Sequence, residues 1–438
     1  MVRTTLRMYG GVEGEIGGNQ ILLSGESGEI LLDFGYNFSK WRRYFSFPLS
    51  RPRSVEEYFQ VDLIPADLRN PKTGLVRDTI TDVFITHPHG DHWRSLFALP
   101  PTEEGGPTVH VGEASKRILD VRAGKLRGFE KVSHLEYRTF RTGRPRKIRV
   151  GDFEVTPFHV DHSAPGSYAM IVSTPDGVVV YTGDFRLHGS YSGRVRRRFW
   201  DEVYDLYGGV DVLICEGTNI GGCVPPHSEA DVETISMKLV QECRGLVIVN
   251  TSPADADRLR TFHRVSSEAG RRLVATKYFM ETLEALEACG GLDIPRPSRG
   301  EVVSLEEEFE EVSKRPLDYI LLTAFYKWRE IADLRPPPGS MFILSSSEPF
   351  EEEAEIEFER LMNWLRFFGV QVFNVHSSGH VMPQDLRQVI EAVSPRVLIP
   401  VHTAHPDAFM RYVADILSRR DIEFVKPVRG RSYEVGGR

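Results

Sequence analysis

Apolar residues fall along this chain in two rhythms. Up to residue 182 they come in short runs punctuated by Gly, Asp and Pro: 19–24, 29–33, 82–86, 153–160, 167–172 and 178–182. Runs of that length and punctuation predict strands. From Asp211 onward the rhythm changes. Short apolar runs at 212–215, 246–250, 272–276, 341–344, 371–375 and 397–401 alternate with amphipathic stretches at 230–243, 256–267, 353–368, 384–393 and 407–417. Such alternation predicts parallel strands with helices packed on them. In 353–368, Ile356, Phe358, Leu361, Met362, Leu365 and Phe368 recur at helical spacing, as a face packed on a core requires. Residues 36–74 read as one long irregular segment with four prolines and several aromatics, among them Trp41, Tyr44, Phe45 and Phe47. Loops of that length are usually functional or lid-like. Those rings are expected to pack as a lid or a dimer contact, with base stacking as the alternative.

Composition adds bounds. The 438 residues are 41% hydrophobic and 26% charged, which is ordinary for a globular chain with room for a large core. No apolar run approaches the ~18–20 residues that span a bilayer, and MVRTTLRMYGG lacks the apolar stretch of a secretory signal. Cys215, Cys223, Cys243 and Cys289 form no Cys-x-x-Cys pair, so reduced thiols in a cytoplasmic protein are expected. The net charge of −8 argues against a surface coated in basic residues. Glu306–Glu308 and Glu351–Glu353 read as solvated helix faces. The run RVRRR at 194–198 is the local cluster able to attract a phosphate backbone, or equally a solvated basic face.

One strand prediction ends in unusual chemistry. Residues 84–93 read FITHPHGDHW, placing His87, His89, Asp91 and His92 in six positions at a strand tip. Neutral imidazoles and ionised carboxylates are metal donors. In a continuing strand His87 and His89 point the same way, and Asp91 and His92 on the next turn are displaced sideways. That suits two ions better than one. Further candidates close other apolar runs: His162 in FHVDHS, Asp184 in YTGDF and His402 in PVHTAH. The carboxyl ends of parallel strands share one sheet edge, where ligands collect.

Asp33 in LLDFG, the His87–His92 cluster, His162 and Asp184 resemble, in order, the motifs of the metallo-β-lactamase superfamily. ICEGT around Glu216, HSSGH at His376–His380 and PVH at His402 narrow the resemblance to its β-CASP nuclease branch, near ribonuclease J and other RNA-processing members. It runs from about residue 8 to about residue 415. It implies an α/β fold, an αββα sandwich of residues 1–217 and 373–438 with a smaller α/β domain, 218–372, inserted. It also implies one zinc ion on His87, His89 and His162 and a second on Asp91, His92 and His402. Asp184 bridges them, Asp33 orients a ligand from behind, and manganese is the alternative metal. His405, close behind His402, is the competing candidate, which the PVH context disfavours.

Two zinc ions ~3.5–4 Å apart can hold an activated hydroxide at neutral pH. On that basis the resemblance implies a zinc-dependent ribonuclease hydrolysing phosphodiester bonds of single-stranded RNA, as a 5′–3′ exonuclease, an endonuclease or both. Asp91 and Asp184 join its catalytic machinery through the metals. His380 is the expected general acid, held by Glu216. His376, Ser378 and Gly379 are expected on the scissile phosphate. Asn250–Ser252, Ser345–Ser347 and Arg258 are weaker phosphate-contact candidates. DNA-acting members of the branch carry valine where this chain has His402, which favours RNA. Neither the C-terminal extension typical of bacterial ribonuclease J nor N-terminal KH domains like those of the archaeal cleavage-factor proteins is expected here. A DNA nuclease, a small-molecule metallohydrolase and an inactive partner subunit are the competing readings. Homodimers are common in the branch, and no membrane partner is expected.

Overall fold

The computed structural model describes residues 3–45, 50–141, 147–193, 203, 207–225, 227–346 and 352–436. The basic run 194–198, Phe47, Ser347 and Glu351 lie outside them. The chain divides into two compact units, residues 1–224 with 379–438, and residues 225–378.

The first unit contains two seven-stranded sheets. One runs Ser432–Glu434, Thr5–Gly10, Gln20–Ser24, Glu29–Phe34, Ile80–Ile85, Thr108–Gly112, Tyr137–Phe140. It is antiparallel as far as Glu29–Phe34 and parallel beyond. The other runs Glu423–Phe424, Val397–Val401, Val212–Glu216, Gly177–Tyr181, Tyr168–Thr174, Phe153–His159, Ile148–Val150. Strand alternation sorts the side chains into layers. Ile30 and Leu32 face Met170, Val172 and Val179 across the two sheets. Leu31, between them, faces outward onto Tyr58, Leu96 and Leu119. On the far side Leu213 meets Leu386, Val389 and Ile390 of helix Pro383–Val393, with Phe409 and Ile416. The order is helix, sheet, sheet, helix, the expected sandwich. All of these side chains are essentially buried, and each is worth about 1.5–3 kcal/mol.

The second unit is a six-stranded sheet, ordered Val303–Ser304, Arg272–Ala275, Tyr319–Thr323, Val247–Asn250, Met341–Leu344, Gln371–Asn374. Every neighbouring pair in it is parallel, as the alternating rhythm predicts. Helix Glu229–Glu242 starts at a capping box between Ser228 and Asp231. Helix Glu352–Phe367 buries Leu361 and Leu365, while Ile356 is 43% exposed and drops out of the expected face. Glu306 and Glu307 lie exposed on helix Leu305–Lys314, as expected of a solvated face. Among the described residues no helix is long and apolar enough to cross a membrane.

Among its described residues, segment 36–74 is not irregular throughout. It holds helices Phe38–Arg42, capped by Asn37, and Val55–Gln60. Nor are its rings a lid: Tyr36 and Phe45 lie 5.6 and 6.3 Å from the Tyr58 ring, which contacts Phe97 at 4.7 Å. Trp41 packs against the same cluster, and Tyr44 stays 53% exposed. Edge-to-face contact between rings, worth about 0.5–1.5 kcal/mol a pair, replaces the periodic apolar face that would have marked these helices. The predicted helix 407–417 breaks at Val413 into Pro406–Tyr412 and Ala414–Arg420.

Candidate metal centre

Strands Ile80–Ile85, Phe153–His159, Gly177–Tyr181, Val212–Glu216 and Val397–Val401 carry the candidate donors at or just past their carboxyl ends. His87 follows the first directly, and His89 opens a one-turn helix, Gly90–Trp93, that presents Asp91 and His92. Gly35 is obligatory here, because a Cβ on it would fall 1.8 Å from the Asp91 carbonyl oxygen.

The side chains converge as two adjoining groups. His89 Nδ1 lies 3.1 Å from both His87 Nε2 and His162 Nε2. His402 Nε2 and His92 Nε2 lie 3.1 and 3.5 Å from Asp91 Oδ2. Asp184 stands between them, its Oδ2 at 3.4 Å from His87, 3.3 Å from His92 and 3.7 Å from His402. Donor atoms of His87, His89, His162 and Asp184 all lie within 4.8 Å of one another. So do those of Asp91, His92 and His402, and those of Asp184, Glu216, His380 and His402.

The opposite ring nitrogens fix the tautomers. His162 Nδ1–H donates to the Gly379 carbonyl at 2.6 Å, and His92 Nδ1–H to Asp33 Oδ2 at 2.7 Å. His402 Nδ1 lies 2.8 Å from Thr218 Oγ1, and His87 Nδ1 3.0 Å from Thr86 Oγ1. Each bond leaves Nε2 as the ring atom turned into the cluster. Asp33 and His402 sit at positive φ, +58° and +51°, a conformation uncommon outside glycine and concentrated at functional sites. Asp33 also accepts from Thr86 N at 2.7 Å and Tyr181 OH at 2.8 Å. The loops bearing His162 and Asp184 are clasped by a buried ion pair, Asp161–Arg186 at 3.1 Å, reinforced by Arg186 N donating to the Asp161 carbonyl at 2.7 Å.

Electrostatics divide the histidines. Burial, then neighbouring imidazoles, holds His87 and His162 well below the usual range. Burial and then Arg122 bring His89 to about 3. For His92 burial is outweighed by Asp184, Asp91 and Asp33, which hold it well above its usual value. Asp91 and Asp184 are held well below theirs: burial opposes, but His92 acts on Asp91, and His402 and His92 on Asp184. Neutral imidazoles beside ionised carboxylates are the donor set of a divalent cation. His92 Nε2 and Asp184 Oδ1 are buried without any hydrogen-bond partner among the described residues, so the residues fit such an ion. A purely nitrogen and oxygen set suits zinc or manganese.

Beside the cluster stands a second pair. Both carboxylate oxygens of Glu216 lie 3.2 Å from His380 Nδ1. Glu216, 1% exposed, also accepts from Phe185 N and from the Thr218 backbone and hydroxyl. Burial lowers the His380 pKa, but Glu216 and then Asp184 outweigh it and raise it to about 9.

A model of the β-lactamase superfamily domain matches residues 61–241. Similar curated proteins are ribonuclease J of Helicobacter pylori, 24% identical over 89% of this chain and 54% of that one; of Sinorhizobium meliloti, 26% over 87% and 69%; and of Corynebacterium glutamicum, 27% over 91% and 53%. Over most of its length the chain is thus similar to ribonuclease J, and it shares the β-lactamase superfamily domain. It spans about half the length of the first of these relatives. The fold is shared with a crystallised protein of unknown function from Enterococcus faecalis V583, at TM-score 0.75 and 22% identity, over 99% of this chain and 100% of that one.

Not every motif residue falls in the cluster. His405 precedes helix Pro406–Tyr412 and belongs to none of the three donor groups. The HSSGH segment crosses between units: Gly379 and His380 belong to the first, and His376 and Ser378 to the second. Within the second unit, the fully buried Arg258 reaches His376 Nδ1 at 3.4 Å, the Ser377 carbonyl at 3.0 Å and Ser345 Oγ at 2.9 Å, and pairs with Glu229. Ser346 Oγ donates to Asn250 Oδ1 at 2.6 Å. Thr86, Tyr181 and Thr218 hold site residues in place yet escape sequence reasoning. Thr86 and Thr218 do lie inside the quoted motifs.

Proposed function

We propose that this chain is a metal-dependent ribonuclease that hydrolyses phosphodiester bonds of single-stranded RNA, as a 5′–3′ exonuclease, an endonuclease or both. The observation that carries the proposal is the position of Asp184 Oδ2, which faces His87, His92 and His402, with the Glu216–His380 pair 3.8 Å away at His380 Nδ1. On this reading His87, His89 and His162 would hold one cation, Asp91, His92 and His402 would hold a second, and Asp184 would serve both sites. Bound zinc or manganese supplies an acidified water at neutral pH and positive charge beside the phosphate. Asp33, the Gly379 carbonyl and Thr218 orient the imidazoles from behind. His380, its Nδ1 turned to Glu216, carries a proton at Nε2 for the leaving oxygen, and Glu216 stabilises that charged ring. Gly379, which accepts from His162 Nδ1–H, lies beside the scissile phosphate. A carboxylate-backed histidine beside the donor groups supports a nuclease over a small-molecule hydrolase. Cys215, Cys223, Cys243 and Cys289 form no disulfide with one another, which suits a reducing compartment, so cytoplasmic action is part of the proposal.

A denaturing-gel time course tests it, on RNA and DNA of one sequence with 5′-monophosphate, 5′-triphosphate or 5′-hydroxyl ends and Asp184→Asn as control. Mononucleotides from 5′-monophosphate RNA alone establish the exonuclease, and internal fragments whatever the end establish the endonuclease. Faster cleavage of DNA overturns RNA as substrate, and no cleavage overturns the nuclease.

A further inference from the structure

We infer that Thr218 is a positioning residue through which Glu216 sets the tautomer of His402 as well as that of His380. The inference rests on the two-cation reading above. Thr218 Oγ1 lies 2.7 Å from Glu216 Oε2, 2.8 Å from His402 Nδ1 and 3.2 Å from His380 Nδ1. The hydroxyl has one hydrogen and two lone pairs. A carboxylate only accepts, and a hydrogen bond to it is shorter and stronger than one to a neutral group. The hydroxyl hydrogen therefore goes to Glu216 rather than to the His402 carbonyl, at 3.1 Å. The Thr218 oxygen is then left to accept, so His402 Nδ1 must carry the proton it donates. In the neutral ring His402 Nε2 is then the lone pair left for a cation, and it lies 3.1 Å from Asp91 Oδ2. The ring is held from the other side as well, because the His402 backbone N–H donates to the Gly11 carbonyl at 2.7 Å.

Glu216 thus has two outputs. One goes directly to His380, and one passes through a single hydroxyl to His402. On the His92 side the corresponding task is done by Asp33 without an intermediary. Thr218 is part-buried at the exit of strand Val212–Glu216 and needs no charge for this role.

The test compares Thr218→Val with Thr218→Ser in the full chain. Zinc binding is followed at fixed pH by competition with a chromophoric chelator, with steady-state RNA cleavage as second readout. Thr218→Val is expected to weaken one of two zinc sites by about 10–100-fold, leave the other unchanged, and lower kcat with little change in KM. Thr218→Ser keeps the hydroxyl and is expected within a few-fold of wild type in both readouts. Wild-type affinity at both sites in Thr218→Val overturns the inference, as does a serine variant that fails like valine. Equal loss at both sites also overturns it, since that marks general damage. Wild-type protein that binds no zinc overturns the proposed function and this inference with it.

Discussion

Asp33→Asn isolates the support behind one imidazole. The carboxylate is fully buried and takes four donors: Thr86 N at 2.7 Å and Thr86 Oγ1 at 3.1 Å on Oδ1, with Thr86 Oγ1 at 2.8 Å, His92 Nδ1 at 2.7 Å and Tyr181 OH at 2.8 Å on Oδ2. Asparagine matches its shape and tolerates the φ of +58° at this position, so backbone strain is not introduced. Its amide group must nevertheless replace one oxygen. If the NH2 takes the Oδ1 place it meets the Thr86 N–H, which cannot turn away. If it takes the Oδ2 place it meets His92 Nδ1–H. Either way a buried donor loses its acceptor, at about 1–3 kcal/mol, and a charge-assisted bond becomes neutral, at about 1 kcal/mol more. The metal-free variant should be less stable by about 3 kcal/mol in urea unfolding. Zinc affinity on the His92 side should fall by about 10–100-fold, the usual effect of removing such a partner. The assays are urea denaturation of the chelated protein and chelator competition on the folded one. Stability within 0.5 kcal/mol of wild type, on the order of an inert surface change, together with unchanged affinity would refute the argument.

Asp184→Asn should lower bound metal and abolish cleavage, because one oxygen faces three candidate ligands; normal turnover would sink the two-cation reading. His380→Ala should keep its metal by elemental analysis yet lose most cleavage, and loss of zinc would make His380 a ligand. His92 is held above its ordinary pKa, and a cation must displace its Nε2 proton, so zinc affinity should rise with pH across the neutral range. The same shift stabilises the metal-free fold below the unfolded value near 6.5, and that contribution is lost as pH climbs through the folded value. Isothermal titration and chelated unfolding at several pH values check both signs. Gly35→Ala, which drives a methyl into the Asp91 carbonyl, should cost several kcal/mol in thermal or urea unfolding.

What could be read in advance follows the range of the interaction. His87, His89, Asp91 and His92 are legible because they are neighbours in sequence. His162, Asp184 and His402 are legible because each closes a strong apolar run. Thr86 and Tyr181 are not, since their roles depend on a carboxylate 53 and 148 positions away. The parallel sheet of the second unit is legible from strand and helix alternation. Helices Phe38–Arg42 and Val55–Gln60 are not, because proline breaks the segment and their rings pack on one another. The half-polar strand Tyr137–Phe140, whose Arg138 and Thr139 are exposed, likewise gives no apolar signal.

Strand Ser432–Glu434 pairs with Thr5–Gly10, so a strand made more than 400 residues later covers the outer edge of Thr5–Gly10. His402 and Asp91, which touch at 3.1 Å, are 311 positions apart. On the ribosome the second unit, a continuous stretch, has all of its residues available before either contact can form. Until residues 402 and 432–434 have been made, the nascent chain therefore carries an uncovered sheet edge, a hazard for aggregation, and a donor cluster lacking one histidine. A translating chain thus cannot assemble its full donor set while its own message is still being read through the codons before His402.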